Sequence, residues 1–349
     1  TTEIYTLSLH DALPISTVVL ICFGGLVTSH GAGLAVPDWP NSYGYNMFLF
    51  PVSMWVGGIF YEHTHRLVAS GVGLMTLILA CWIWAKETRK WLRWLGVLAL
   101  VLVVVQGVLG GLRVVLLKDH LGLIHGALAQ VFLVLMAAIA LFTSRFWRAG
   151  GPQPAGIPDS GGLRWLILGT TGLILVQLLV GASMRHRHAG LAIPDFPAAH
   201  GRLWPATDAA SLSRYNRERV EVRALNAITA YDVHLQMVHR LVAAGIVVAV
   251  GVCVARARRR LGSGQLITRV CWLWAGLVVV QVGLGAFTIW SGKAADVATA
   301  HVAVGSLTLC VGGMLSILAL RQLGSARSAE QPVGAMAWSR GGSRPASIG

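Results

Sequence analysis

The sequence predicts an all-α polytopic membrane protein in which eight transmembrane helices form two tandem four-helix bundles, related by pseudo-twofold symmetry. Three observations support this prediction. The chain is 55% hydrophobic and only 12% charged, with a mean hydropathy of +0.66, which is too apolar for a soluble domain of 349 residues. Its apolar residues fall into eight segments. The second half of the chain also repeats motifs of the first.

The charge pattern indicates a membrane lipid environment and no nucleic-acid partner. The formal net charge is +14, but the basic residues cluster between the apolar segments, where they determine topology. One set of alternate connections carries 16 Lys and Arg, and the other set carries 10. Because the richer side is cytoplasmic in membrane proteins, we expect a multi-pass protein with both termini in the cytoplasm.

The first predicted helix is shorter than the others. Residues 1–16 resemble translated sequencing-adapter text and lack the basic start and apolar core of a signal peptide. We interpret them as a non-native or artefactual N-terminus. The apolar segment 17–29 is shorter than the roughly 20 residues that cross a bilayer, so we interpret it as the remainder of a first helix.

Seven further apolar segments predict the remaining helices. They span residues 53–85 (with the helix itself from near residue 60), 92–113, 121–143, 163–184, 233–255, 266–290 and 296–320. Their lengths are those of single membrane crossings.

The repeat divides the chain into two halves. Residues 32–40 (AGLAVPDWP) match residues 189–197 (AGLAIPDFP) at an offset of 157, and later motifs match at offsets of 174 to 176. We predict an N-terminal half at 17–145, a linker at 146–162, a C-terminal half at 163–322 and a disordered tail at 323–349. An even number of helices in each half gives both halves the same orientation in the membrane.

Each half carries one histidine early in its second helix and one early in its fourth. These are His65 and His125 in the first half, and His239 and His301 in the second. Two imidazoles that face each other across a four-helix bundle can hold a haem iron axially. The residue four positions after each histidine is small, which leaves room for a porphyrin: Ala69, Ala129, Ala243 and Gly305. The alternative is a set of hydrogen-bonded histidines in the helix core.

The two halves differ at one informative position. Glu62 lies three residues before His65, on the same helix face, whereas the matching residue in the second half is Gln236. An intramembrane carboxylate is costly and marks a functional site by default. We therefore predict that the first half is a reaction site. The alternative is a carboxylate that only pairs with Arg66.

Several other polar residues lie close to the predicted ligands. Arg66 and Arg240 follow His65 and His239, and either could bind haem propionates or extend to lipid headgroups. His120 and His234, each five residues before a candidate ligand, are predicted to lie at the interface or to contact propionates. We expect the remaining histidines of the connecting loops to be solvated: His30, His186, His188 and His200.

Taken together, these motifs resemble the haem A synthase family over residues 24–320. The residues that carry the resemblance are 24–28 (GGLVT), Glu62-x-x-His65-Arg66, 107–113 (GVLGGLR), the His125 helix, His239-Arg240 and His301. Many bacterial members have a cysteine pair in the first outer loop, and this chain has no cysteine between residues 29 and 51.

The resemblance implies an oxidoreductase of the bacterial inner membrane that oxidises the C8 methyl group of haem O to a formyl group, giving haem A for cytochrome oxidase. It implies that His65 and His125 flank haem O, with Glu62 as the catalytic residue. It implies that His239 and His301, with Arg240 nearby, bind a haem b cofactor. Haem O synthase and cytochrome oxidase assembly factors are the implied partners, and a homo-oligomer is left open.

Two other functions fit the histidines. A bis-His dihaem b-type cytochrome would pass electrons across the membrane. It would not explain why a carboxylate, Glu62, occurs in only one of the two halves. A non-catalytic haem carrier would bind the porphyrin and leave it unchanged.

Overall fold

The computed structural model describes residues 9–150, 162–219 and 226–323, and the regular elements within these ranges are helices. Eight of them are long and apolar enough to cross a membrane, which confirms the predicted all-α class with eight transmembrane helices. They are α1 (Leu9–Ser29), α2 (Gly57–Lys86), α3 (Lys90–Leu116), α4 (Asp119–Thr143), α5 (Leu163–His186), α6 (Ala230–Leu261), α7 (Leu266–Trp290) and α8 (Ala295–Gln322). Most of the predicted tail and most of the predicted linker lie outside the described residues.

Helix α1 begins at Leu9, eight residues before the apolar segment that predicted it. The reason is a buried stripe of residues four positions apart, Leu13, Thr17, Ile21 and Gly25, which is the spacing of one helix face. Leu13 is fully buried, and the Thr17 hydroxyl donates to its carbonyl over 2.8 Å. With 21 residues, a helix rising about 1.5 Å per residue spans the hydrocarbon layer. Whether residues 1–16 are native stays a prediction.

Helix α6 is longer than its apolar segment at both ends. At its N-terminus the Thr229 side chain accepts from the Asp232 backbone, and the Asp232 carboxylate accepts from the Thr229 backbone, which forms a capping box. At its C-terminus three arginines occupy the last turn: Arg258, Arg259 and Arg260. Basic residues there interact favourably with the helix dipole.

Each half is a ring of four helices in which every helix contacts the next one in sequence. In the first half α1 also contacts α4, and in the second half α5 contacts α8. The halves meet through α1 with α8, α4 with α5, and α4 with α8. In the repeat, α1 corresponds to α5 and α4 corresponds to α8. The contact of α1 with α8 is therefore equivalent to the contact of α5 with α4. These contacts fit the predicted pseudo-twofold arrangement.

Two long loops cover the ends of the bundles that carry the histidines. The first runs between α1 and α2, and the second between α5 and α6. The second loop contains an extra helix, Ala209–Arg217, which Asp208 caps through the Ser211 backbone N–H. Tyr215 of this helix is buried in a small apolar cluster against the loop. Among the described residues, this helix is the largest structural addition of the second half.

Candidate functional site

The first predicted histidine pair is brought together by α2 and α4. The ring centroids of His65 and His125 are 6.5 Å apart. The Nδ1 atom of His125 lies 3.2 Å from the Gln106 carbonyl oxygen of α3. A proton on Nδ1 would donate to this carbonyl and leave Nε2 as the free, metal-binding nitrogen.

The second pair has the same separation in the other half. The ring centroids of His239 on α6 and His301 on α8 are also 6.5 Å apart. Imidazoles that ligate one metal ion from opposite sides, at about 2 Å per bond, have ring centres about 6 Å apart. Both pairs therefore fit an iron between the rings.

Each histidine packs against a glycine of the neighbouring helix, a feature that the sequence prediction did not include. A Cβ atom built on each glycine would lie 3.2 to 3.4 Å from Cε1 of its histidine, closer than most real Cβ contacts. The four pairs are Gly24 with His65, Gly110 with His125, Gly181 with His239, and Gly285 with His301. The glycines also match between the halves, so the repeat contained the signal.

Three glutamines hold the backbone of the histidine helices. The side-chain amides of Gln106, Gln177 and Gln281 donate to the carbonyl oxygens of His125, His239 and His301, over 3.1, 2.9 and 2.9 Å. The residue that matches Gln177 in the first half is Leu20, so the His65 helix lacks this bond. The glutamines fix three of the four ligand helices to their neighbours.

Glu62 and Arg66 bind the first loop to α2. The Oε2 atom of Glu62 accepts from the Val36 backbone N–H over 2.9 Å, and its Oε1 atom pairs with Arg66 at 2.9 Å. Arg66 also donates to the carbonyl oxygens of Val36, Asp38 and Asn41. The pairing that we considered as an alternative for Glu62 is thus observed. Glu62 nonetheless lies on the His65 face of the helix.

The second loop is held in the same way, with an amide in place of the carboxylate. The Oε1 atom of Gln236 accepts from the Ile193 backbone N–H over 2.7 Å, and its amide donates to the Ile193 carbonyl over 3.1 Å. Arg240 donates to the carbonyls of Asp195 and Ala198. Glu62 and Gln236 are only 4% and 2% exposed. Both residues are therefore buried where they bind their loops.

The aspartates of the two loops cap their own turns. Asp38 accepts from the backbone N–H groups of Tyr43 and Gly44, and Asp195 accepts from those of His200 and Gly201. Burial alone would raise the pKa of each carboxyl, but the hydrogen bonds outweigh it and hold both pKa values below the usual value.

The other histidines divide into exposed and packed side chains. His120 and His234 are exposed, and His234 lies 3.5 Å from the Thr207 hydroxyl. His200, in contrast, is only partly exposed: it stacks on Tyr215 with ring centroids 3.5 Å apart, and its Nε2 lies 3.0 Å from the Ala192 carbonyl oxygen.

His186 corrects the expectation for the loop histidines. It belongs to the last turn of α5 and is partly buried. The expectation of solvated loop side chains is therefore wrong for His186 and His200. Each has a helix or an aromatic ring to pack against, which the sequence did not reveal. His63, which the sequence prediction left without a role, is fully buried and lies 3.2 Å from the Ser42 hydroxyl of the first loop.

Several known proteins are similar to this chain in sequence. Residues 45–312 match the family of cytochrome oxidase assembly proteins designated COX15-CtaA. A haem A synthase of Geobacillus kaustophilus is 28% identical over 97% of this chain and 97% of its own length. Another haem A synthase, of Rhizorhabdus wittichii, is 29% identical over 72% of this chain and 68% of its own length. A third, of Halalkalibacterium halodurans, is 29% identical over 55% of this chain and 63% of its own length. The chain belongs to the COX15-CtaA family of cytochrome oxidase assembly proteins.

Proposed function

We propose that this chain is a haem A synthase, an oxidoreductase that converts the C8 methyl group of haem O to the formyl group of haem A for cytochrome oxidase. The observation that carries the proposal is the equal spacing of two histidine pairs, 6.5 Å between ring centroids in each half. The relatives that cover most of this chain are named haem A synthase.

The two sites have different tasks in this proposal. His65 and His125 hold the substrate haem O, and His239 and His301 hold a haem b cofactor. When bound, haem b supplies one-electron redox chemistry. The support for this division is that the sites share their histidines and glycines but differ at Glu62 and Gln236, where only the first half keeps a carboxylate.

The reaction removes four electrons from the methyl carbon and adds one oxygen atom. With water as the oxygen source and an external electron acceptor as the oxidant, a first two-electron step gives an alcohol and releases two protons. A second step gives a gem-diol, which loses water to leave the aldehyde. Glu62, which lies on the His65 face and pairs with Arg66 at 2.9 Å, stabilises positive charge that develops on the methyl carbon or accepts its proton.

The proposed function also implies a membrane topology for the protein and partner proteins that deliver and receive the haem. We place the protein in the bacterial inner membrane with both termini in the cytoplasm, so that both loops face the outside. The excess of Lys and Arg on the opposite side supports this placement. Haem O is apolar and poorly soluble, which favours direct transfer from haem O synthase and to oxidase assembly factors.

A dihaem electron-transfer cytochrome is the second candidate. The observation that favours it is the structural role of Glu62, whose oxygens both have partners in the loop or in Arg66. A non-catalytic carrier would also bind haem through the same histidines.

The test of the proposal is mass analysis of the haems extracted from a bacterium that makes haem O but no haem A, with and without this chain. Haem A or its hydroxylated intermediate should appear only with the chain. Unchanged haem O beside a folded, haem-loaded protein would instead support the cytochrome or the carrier.

A further inference from the structure

We infer that Arg113 binds a carboxylate of the porphyrin substrate in the first half. The inference rests on the proposed function, since it names the group of haem O that this residue recognises. Arg113 lies in the last turn of α3 and is half-buried. Among the side chains that the structure describes, none forms a hydrogen bond or ion pair with its guanidinium. A partly buried guanidinium without acceptors is costly, and a carboxylate matches its donors in pairs.

The guanidinium fits a space made by two buried glycines. A Cβ atom built on Gly33 of the first loop would lie 2.7 Å from Nη2 and 2.8 Å from Nη1 of Arg113. A Cβ atom on Gly122 of α4 would lie 2.9 Å from its Nε. Both glycines are buried. The side chain therefore lies between the first loop and α4.

Arg113 faces the histidine pair of the first half. It lies three residues after Gly110, whose Cβ position is 3.4 Å from Cε1 of His125, and residues three apart share one face of a helix. The first loop also places Arg113 near Glu62. Gly33 and Val36, which contact Arg113 and Glu62, are three residues apart, so their Cα atoms are at most about 11 Å apart.

Arg66, for which the sequence left open a propionate contact or a lipid headgroup contact, already has hydrogen-bond partners. The terminal nitrogens of Arg66 make four hydrogen bonds, to the Glu62 carboxylate and to three loop carbonyls. Binding a propionate would require Arg66 to give up contacts that hold the loop. In the part of the chain that the structure describes, the Arg113 donors make no such contacts, which makes Arg113 the better carboxylate ligand.

The second half has no arginine at the matching position. The residue that corresponds to Arg113 is Thr288, whose hydroxyl donates to the Leu284 carbonyl of its own helix over 2.7 Å. The first site thus has two charged groups, Arg113 and Glu62, that the second replaces with neutral ones. One propionate of a haem is attached to the same pyrrole ring as the C8 methyl group. A cation that binds this propionate fixes the ring that reacts, so Arg113 is a positioning residue of the substrate.

The test compares the binding of ferric haem O and of its dimethyl ester, in which both carboxylates are blocked. The purified full-length chain is first loaded with haem b, and each compound is then titrated by absorbance. The unsubstituted chain should bind the diacid at least about 10-fold more tightly than the diester, because a charge-assisted pair is lost in the ester. The Arg113→Gln chain should bind both compounds with nearly equal affinity, at the level of the diester.

The controls separate binding from folding and from catalysis. Arg113→Lys keeps the charge and should retain part of the preference. Equal binding of diacid and diester by the unsubstituted chain would overturn the inference without any variant. So would a preference that Arg113→Gln leaves intact, as expected if the arginine binds lipid phosphate. A third outcome distinguishes the inference from the proposed function. If Arg113→Gln loses the preference for the diacid but the unsubstituted chain makes no haem A, the inference is supported and the proposed function is contradicted.

Discussion

Replacing Glu62 by glutamine separates the two roles that this carboxylate can have. The second half already contains the replacement, because Gln236 makes the loop bond to Ile193 that Glu62 makes to Val36. A glutamine at position 62 can therefore still accept from the Val36 N–H. It cannot carry the negative charge that the proposed chemistry requires. We expect Glu62→Gln to lower haem A formation by about 10²-fold or more, the contribution of a positioned acid or base.

The cost to stability follows from the ion pair. The Arg66 and Glu62 side chains are 10% and 5% exposed and lie 2.9 Å apart. Breaking a buried pair costs about 3–5 kcal/mol when the remaining charge has no other partner. Arg66 keeps three carbonyl acceptors, so we expect a smaller loss, about 1–3 kcal/mol. The variant should fold and should keep its haem b.

The assay measures haem A, haem O and haem b in the purified variant and in a Glu62→Ala variant, which loses the loop bond as well as the charge. Haem A should be lost from both variants, with haem b retained in Glu62→Gln. Normal haem A production by Glu62→Gln, together with its loss in Glu62→Ala, would refute the catalytic role and leave Glu62 as a residue that holds the loop.

Three further predictions test the surroundings of the sites. Gly285→Val should displace the His301 ring and weaken the haem b spectrum, because Cβ alone would approach it to 3.2 Å, whereas Gly283→Ala, with no atom within 4 Å of its Cβ, should leave the spectrum unchanged. The loop turn capped by Asp38 should be stable at neutral pH and loosen only below about pH 4. The hydrogen bonds lower the pKa of the Asp38 carboxyl, so its contribution to stability is lost only as the pH falls through that lowered pKa. Hydrogen exchange of the loop amides measures this change. Arg185→Met, which removes bonds to α1 of 2.6 and 2.8 Å, should lower the free energy of unfolding by about 1.5–3 kcal/mol, measured by denaturant titration; an unchanged value would show that these bonds do not stabilise the contact between the halves.

The sequence predicted the elements that recur in both halves. Apolar length located all eight spanning helices, and the duplication identified His65, His125, His239 and His301 as two pairs. It did not show that the ring centroids would be 6.5 Å apart in both halves. Helix period and repeat register place these residues on their helices, but the distance across a bundle depends on how the helices pack.

What the sequence could not provide were contacts between distant segments. The Glu62 bond to Val36 joins residues 26 positions apart, and Gly33 and Arg113 meet only because the loop folds over α3. The early start of α1 was missed for a different reason. Pro14 and the polar residues near it interrupt the apolar segment, although Leu13 continues the buried stripe at the helical spacing. The helix continues through Pro14, its sixth residue, although a proline at that position removes a backbone hydrogen bond. Hydropathy therefore underestimated this helix.

The central claim is that each histidine pair binds its own haem, with the substrate in the first half and haem b in the second. The most direct measurement is the haem content of two purified variants, His125→Ala and His301→Ala, expressed in cells that supply both haem O and haem b. The account predicts that His125→Ala keeps haem b with its bis-His spectrum and contains little haem O or haem A, whereas His301→Ala loses haem b. Loss of the same haem from both variants, or full retention of both haems, would contradict it.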